Sequence, residues 1–344
     1  MELNPDTVVW EYTLKCDSGC LHCGSDAKDP RKNELDTAES LGLVDQIADL
    51  GFRLIVLSGG EPTLRPDWKT IGAKVNERNL DFAIISNTLA WTGKTIEDLA
   101  NLNPYSIGIS VDGEEKTHDY LRGHKGSHKK IFDSIRALKE RNQTVCAVTT
   151  VNNLNFRELQ DIRNRLIVYG VDAWQIQTAS PMGRMAKQEN LILNSQAHYK
   201  LGKFVAETAE RLPHMNVVSA DCLGYFGKLG ERLGKDNWRG CGAGTYGLGI
   251  MSDGTVKGCL SIWHPDAIEG NIRERSLRRI WEDPNNFAYN RKFKPSDLRG
   301  DCEGCDLGDL CKGGCNSQSI SFYSEFHNSP YCFHRHEKEF PRSK

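Results

Sequence analysis

The sequence predicts an α/β protein: a partial (β/α)6 barrel, TIM-like but unclosed, followed by a cysteine-rich carboxy-terminal extension. Three observations lead there. Short β-prone runs alternate with amphipathic stretches of helical length from residue 8 to about residue 211, the pattern of strands assembling into a parallel sheet. The units number six, fewer than the closed eight-unit barrel needs. Beyond about residue 215 the alternation stops, and glycine and cysteine punctuate short elements. Residues 1–215 are therefore expected as the barrel and 216–344 as a bridging region plus extension, divided near Arg211–Val218 without a low-complexity linker.

In chain order the predicted strands are Val8–Leu14, Arg53–Leu57, Asp81–Ser86, Ser106–Val111, Thr144–Val151 and Ala173–Thr178. The predicted helices after them are Thr37–Leu50, Asp67–Arg78, Lys94–Asn101, His128–Arg141, Phe156–Tyr169 and Ser195–Arg211. In the first, Leu41, Val44, Ile47, Ala48 and Leu50 recur at helical spacing with acidic residues opposite. In the extension, Ser252-Asp253-Gly254 between β-prone residues predicts a hairpin over Gly247–Gly258.

Ligands of such sheets bind beyond the carboxyl ends of the strands. The segments at those positions are Cys16-Asp17-Ser18-Gly19-Cys20-Leu21-His22-Cys23, Ser58-Gly59-Gly60-Glu61-Pro62, Ser86-Asn87-Thr88 and Ser110-Val111-Asp112-Gly113. Four polar or metal-binding segments thus converge on one rim.

The 344 residues are long enough to bury a full core, and no apolar run reaches the roughly 18–20 residues of a membrane span. A net charge of −2 with interspersed signs gives no electrostatic reason for a nucleic-acid partner. The amino terminus lacks a basic segment followed by an apolar stretch, so a cytoplasmic, reducing setting is expected. Twelve cysteines there point to metal ligation rather than disulfides.

Cys16, Cys20 and Cys23 on a post-strand loop can hold one corner of a cubane and leave one iron without a protein ligand. Zinc is the alternative, wanting a fourth ligand that His22 could supply only under strain beside Cys23. Downstream, Cys302-x2-Cys305-x5-Cys311-x3-Cys315 is followed by Cys332, while Cys241 and Cys259 flank the hairpin. Spacing alone leaves paired structural zincs open for this group. Cys146, inside a strand, reads as a small buried hydrophobe. His124 to Lys130 reads as a solvated helix start, and His334 and His336 as exposed tail residues.

The Cys-x3-Cys-x2-Cys loop after the first strand, with Gly59-Gly60-Glu61-Pro62 after the second, resembles the radical S-adenosylmethionine (SAM) enzymes over Val8 to about Arg211. The ordered Cys-x12-Gly-x4-Cys, Cys-x2-Cys-x5-Cys-x3-Cys and final Cys resemble their SPASM extension from Cys241 to Cys332. The resemblance implies a [4Fe–4S] cluster on Cys16, Cys20 and Cys23, with SAM on its open iron. It implies an inner auxiliary cluster on Cys241, Cys259 and Cys315 and an outer one on Cys302, Cys305, Cys311 and Cys332, three [4Fe–4S] clusters in all. Gly247 stands where fully ligated relatives often place an extra cysteine, so Cys222 is expected as the fourth inner ligand, an open or substrate-bound iron being the alternative. For SAM, Glu61 with the Gly59 and Gly60 backbone is expected at the ammonium, Asn87, Ser110 and Asp112 at the ribose, and Arg122 at the carboxylate.

The resemblance also implies reductive cleavage of SAM to a 5′-deoxyadenosyl radical that abstracts hydrogen from a substrate. The substrate expected is a ribosomally synthesised peptide, with a tetrapyrrole or other small molecule as alternative and a non-catalytic iron–sulfur or zinc protein as the other class. Cys259 is followed by Leu260 rather than the aspartate of sulfatase maturases, and Asp253, His264 and Asp266 match no general-base position. Cys16 comes too early for an amino-terminal leader-binding domain, so a separate leader-binding protein is an expected partner, beside an external flavodoxin- or ferredoxin-type electron donor.

Overall fold

The computed structural model describes residues 4–340, so the first three residues of the amino-terminal stretch read for a signal lie outside it. Its strands form one ten-stranded sheet in the order β10-β9-β8-β1-β2-β3-β4-β5-β6-β7. The barrel strands are β1 (Thr7–Thr13), β2 (Leu54–Gly59), β3 (Asp81–Ser86), β4 (Ser106–Ser110), β5 (Val145–Val151) and β6 (Ala173–Thr178). They pair in parallel, each with the next. The helices along this part are α1 (Thr37–Asp49), α2 (Trp68–Glu77), α3 (Gly93–Leu102), α4 (Glu115–Arg122), α5 (Ser127–Lys139), α6 (Leu159–Val168) and α7 (Ser195–Arg211). The sheet is open and unclosed, as the count of six units predicts.

Local signals set the helix starts. Asp36 caps α1 by accepting from the Glu39 amide while the Glu39 carboxylate accepts from the Asp36 amide, and Thr92 and Thr95 do the same for α3. The α4 helix is absent from the predicted elements for a physical reason: of its eight residues only His118 and Leu121 are buried, too few to write an apolar stripe. It stops at Gly123, which takes the left-handed conformation at φ 63°.

Strand alternation divides the sheet into two unlike faces. Trp10, Tyr12, Ile84, Ile109, Ala147, Trp174 and Ile176 turn toward the helices and, with Leu43, Ile47, Ile135, Leu166 and Leu201, form the main core. Full burial of each large apolar side chain contributes roughly 1.5–3 kcal/mol. Along β5 and β6 the opposite face is only half-buried, each strand alternating strictly between the two states. Cys146, expected as a buried hydrophobe, belongs to this half-buried face because the barrel never closes over it.

The extension does not stack as a separate layer. β7 (Asn216–Ser219) adds in parallel to β6, while β8 (Gly247–Ile250) adds in parallel to β1. β9 (Thr255–Lys257) completes the expected hairpin, and β10 (Ile268–Asn271) pairs antiparallel with it. The residues after 215 therefore extend both edges of the barrel sheet. No helix among the described residues is long and apolar enough to cross a membrane.

Candidate active site

The cysteine loop leaves β1 and folds back on itself, with the Cys16 amide donating to the Lys28 carbonyl at 2.9 Å. The Gly59-Gly60-Glu61 segment crosses directly beneath it. Gly60 N donates to Thr13 O and Glu61 N to Lys15 O, both at 2.8 Å. A Cβ on Gly60 would stand 2.1 Å from Lys15 O, and one on Gly59, at φ 116°, would stand 2.4 Å from Thr13 O. Only glycines permit this approach, so the pair sets the height of the cysteine loop over the sheet.

Each thiol of the loop has a hydrogen-bond donor directed at its sulfur. Asn87 Nδ2 lies 3.6 Å from Cys16 Sγ, Arg122 NH1 3.6 Å from Cys20 Sγ, Ser18 Oγ 3.0 Å from Cys20 Sγ, and the Ala27 amide 3.4 Å from Cys23 Sγ. A neutral thiol is a weak acceptor, whereas a metal-bound thiolate draws such donors and is tuned by them. Burial pushes the Cys16 thiol up to about 12 as long as no metal is bound. The donor set therefore fits soft thiolate ligation.

Asn87, Ser110 and Arg122 meet with Ser18, Leu89, His118 and Ser127 around a narrow gap next to the loop, too tight to hold a water molecule. Arg122 Nε and His22 Nδ1 are buried without a hydrogen-bond partner among the described residues. An orphaned guanidinium N–H costs about 1–3 kcal/mol unless a partner satisfies it, so Arg122 keeps an unmet donor at the edge of the cysteine loop.

Glu61 and Asp112 sit behind this gap rather than in it. Glu61 is fully buried, and its carboxylate accepts from Thr63 Oγ1, Ser86 Oγ and the Asn87 amide. Burial raises its pKa against the pull of those donors. Asp112 is also fully buried, pairing with Arg122 and, at 3.1 Å, with His22, while accepting from the Thr150 amide at 2.8 Å. Burial alone would raise its pKa, but the Arg122 and His22 charges hold it far below the carboxylate range. Arg122 closes α4 with its side chain 12% exposed. His118 Nδ1 accepts from the Asp112 amide, and burial followed by the Arg122 charge lowers its pKa to about 3.

One clamp escaped the sequence reading. Arg184, shortly after β6, donates through Nε to the Cys20 carbonyl at 2.7 Å and through its amide to the Cys23 carbonyl at 2.9 Å. It also reaches Asp26 at 2.9 Å. Its only sequence signal is its position after the sixth strand.

The downstream cysteines fall into two groups. Cys241 takes a hydrogen bond from Cys315, which lowers it to about 7, while Cys315 is raised well above the thiol range. Burial and the Cys241 charge push Cys259 up to about 11. Cys302, Cys305, Cys311 and Cys332 line a separate cavity of about 400 Å³ together with His334, Arg335 and Lys338. Amides of Ser329 and Arg335 point at Cys302 and Cys332, each at 3.4 Å. His334 and His336, expected as exposed, are held by the helix Phe333–Glu339: His334 bonds Asp306 at 3.2 Å and His336 stacks on Tyr199 at 4.2 Å.

The sequence profile of the Radical SAM superfamily matches residues 10–166, and that of the SPASM iron–sulfur cluster-binding domain matches residues 241–306. The AdoMet-dependent heme synthase of Methanosarcina barkeri is 27% identical over 97% of this chain and 98% of that protein. The mycofactocin maturase of Mycolicibacterium smegmatis is 25% identical over 90% of this chain and 78% of that protein. Streptococcus suis SuiB bound to S-adenosylmethionine shares the fold at a TM-score of 0.75 and 18% identity, over 96% of this chain and 76% of that one. The chain is a radical SAM enzyme carrying a carboxy-terminal SPASM iron–sulfur domain.

Proposed function

We propose that the chain abstracts a hydrogen atom from a ribosomally synthesised peptide held on the half-buried face of the open sheet. In this reading Cys16, Cys20 and Cys23 hold a [4Fe–4S] cluster, and two auxiliary [4Fe–4S] clusters occupy the downstream cysteine groups. When bound and reduced, the first cluster supplies the cleavage of SAM that yields the 5′-deoxyadenosyl radical. The protein's part is positional. The Gly59 and Gly60 backbone, Asn87, Ser110 and Arg122 face SAM, while Glu61 holds the Asn87 amide and Asp112 holds the Arg122 guanidinium from behind. Residues 1–215 carry this chemistry and residues 216–344 the auxiliary clusters. The electron comes from an external flavodoxin- or ferredoxin-type donor, and a separate leader-binding protein presents the peptide.

One observation favours a peptide. On the half-buried face Gln177 bonds Thr150 at 2.9 Å beside Gln175, so neutral groups that both donate and accept line this wall. They complement an uncharged backbone. The near-complete alignment with a heme synthase favours a second reading, a tetrapyrrole substrate. The propionates of such a molecule would call for cations: Arg31 is paired with Glu11 at 2.9 Å, but Lys257 of β9, on the same face beside Gly249, has no ion-pair partner among the described residues and supports this second reading.

The test is anaerobic 5′-deoxyadenosine formation with SAM and dithionite, in the wild type and in Cys20→Ala. Formation in the wild type and its loss in the variant are expected; equal formation in both would refute the cluster assignment. Gln177→Glu should then depress turnover of a precursor peptide encoded beside the enzyme. Turnover of a propionate-bearing iron porphyrin, with no peptide modified, would overturn the peptide reading in favour of the second.

A further inference from the structure

Three thiols at the inner site leave one iron of a cubane without a protein ligand. Gly247, in β8 and paired with Thr7 of β1, cannot supply one, because glycine has no side chain. Cys222 approaches from the other side. It follows β7, in a turn closed by the Leu223 amide on the Ala220 carbonyl at 3.0 Å, and packs with Tyr225, Phe226, Trp238 and Cys315 in one apolar cluster.

The placement of this sulfur is built in. Thr178, the last residue of β6, directs both its amide and its hydroxyl at Cys222. The Thr178 hydroxyl in turn accepts from Gln318 Nε2 at 3.0 Å, and Gln318 lies three residues beyond Cys315 on the helix Asn316–Tyr323. A His198 ring nitrogen lies 3.3 Å from the Cys222 carbonyl. The barrel edge and the cysteine-bearing helix are thereby tied through the residue that fixes Cys222. Cys222 packs in the same apolar cluster as Cys315, and Cys315 donates to Cys241, so the turn after β7 brings a fourth thiol to the inner group.

We propose that Cys222 is the fourth protein ligand of the inner auxiliary cluster, with Cys241, Cys259 and Cys315. Resting on the cluster assignment above, this leaves no inner iron open, so substrate does not ligate that cluster. The two donors from Thr178 then serve a thiolate in an apolar setting, where such hydrogen bonds tune a cluster most strongly.

The test uses the full chain with Cys16, Cys20 and Cys23 replaced by alanine, reconstituted anaerobically so that only auxiliary clusters remain. About eight irons and no three-iron signal on mild oxidation are expected of this parent. Adding Cys222→Ala should release one iron and produce a [3Fe–4S] electron paramagnetic resonance signal in proportion to protein. Should the alanine variant misfold, Cys222→Ser keeps the volume and should shift the spectrum of the reduced inner cluster. An unchanged spectrum in either variant, or a three-iron signal already present in the parent, would overturn the assignment of Cys222. Zinc in place of iron in the parent would overturn the cluster reading itself, a distinguishable result.

Discussion

Gly60→Ala offers a sharp test of how the sheet positions the chemistry. The added Cβ would lie 2.1 Å from Lys15 O, 2.6 Å from Lys15 C and 2.8 Å from Leu14 O, all backbone atoms with no flexible end to yield. Opening the first contact to 3.0 Å requires the cysteine loop and β2 to part by about 0.9 Å, the difference between the two distances. That movement strains the 2.8 Å bonds from Gly60 N to Thr13 O and from Glu61 N to Lys15 O. Losing one costs about 1–3 kcal/mol and losing both about 2–6 kcal/mol, since an unsatisfied buried backbone group costs about 1–3 kcal/mol. It also displaces Cys16 from the Asn87 side chain that faces it. The expected result is loss of about four of about twelve irons after reconstitution, and a drop in 5′-deoxyadenosine formation of at least about tenfold. Gly19→Ala, on the same loop with nothing within 4 Å of its added Cβ, is the control and should retain its iron. Full iron and undiminished cleavage in Gly60→Ala would refute the argument that close approach fixes the loop.

Three further outcomes are expected. Asp112→Asn leaves the Arg122 guanidinium buried without its counter-charge, so stability should fall by about 3–5 kcal/mol; an unchanged Tm beside unchanged SAM affinity, measured by equilibrium binding, would contradict that. Because the pKa of His118 is about 3 in the folded chain and near 6.5 as its ordinary value, the unfolded chain binds the extra proton between these limits. Stability from this group is complete above pH 6.5 and falls as pH drops toward 3, by up to about 1.4 kcal/mol per unit, and denaturant titrations should show this slope flattened in His118→Gln. Finally, Cys302→Ala with Cys305→Ala should remove about four irons while SAM cleavage continues, whereas loss of cleavage would tie the outer cavity to the first step.

The strand order up to β6, the helices between apart from α4 and the segments on the catalytic rim were legible because they depend on local periodicity and on position after a strand. Arg122 was legible as a candidate but not as the end of a helix, since α4 buries too little to show a stripe. Arg184 was not legible, because its partners Cys20 and Cys23 lie about 160 residues away and meet it only across the open barrel.

The sequence by itself determined the six-unit sheet, a cysteine group at each end and the glycine pair, each written in residue type and spacing. The tertiary structure decided that Glu61 and Asp112 stand behind the gap, because both are enclosed by donors from strands and loops distant in sequence. It also decided that the extension joins both edges of one sheet, bringing Cys222 after β7 into the apolar cluster that holds Cys315. Pairing of β7 with β6 and of β8 with β1 depends on backbone hydrogen bonds between distant segments, which side-chain spacing along the chain does not encode.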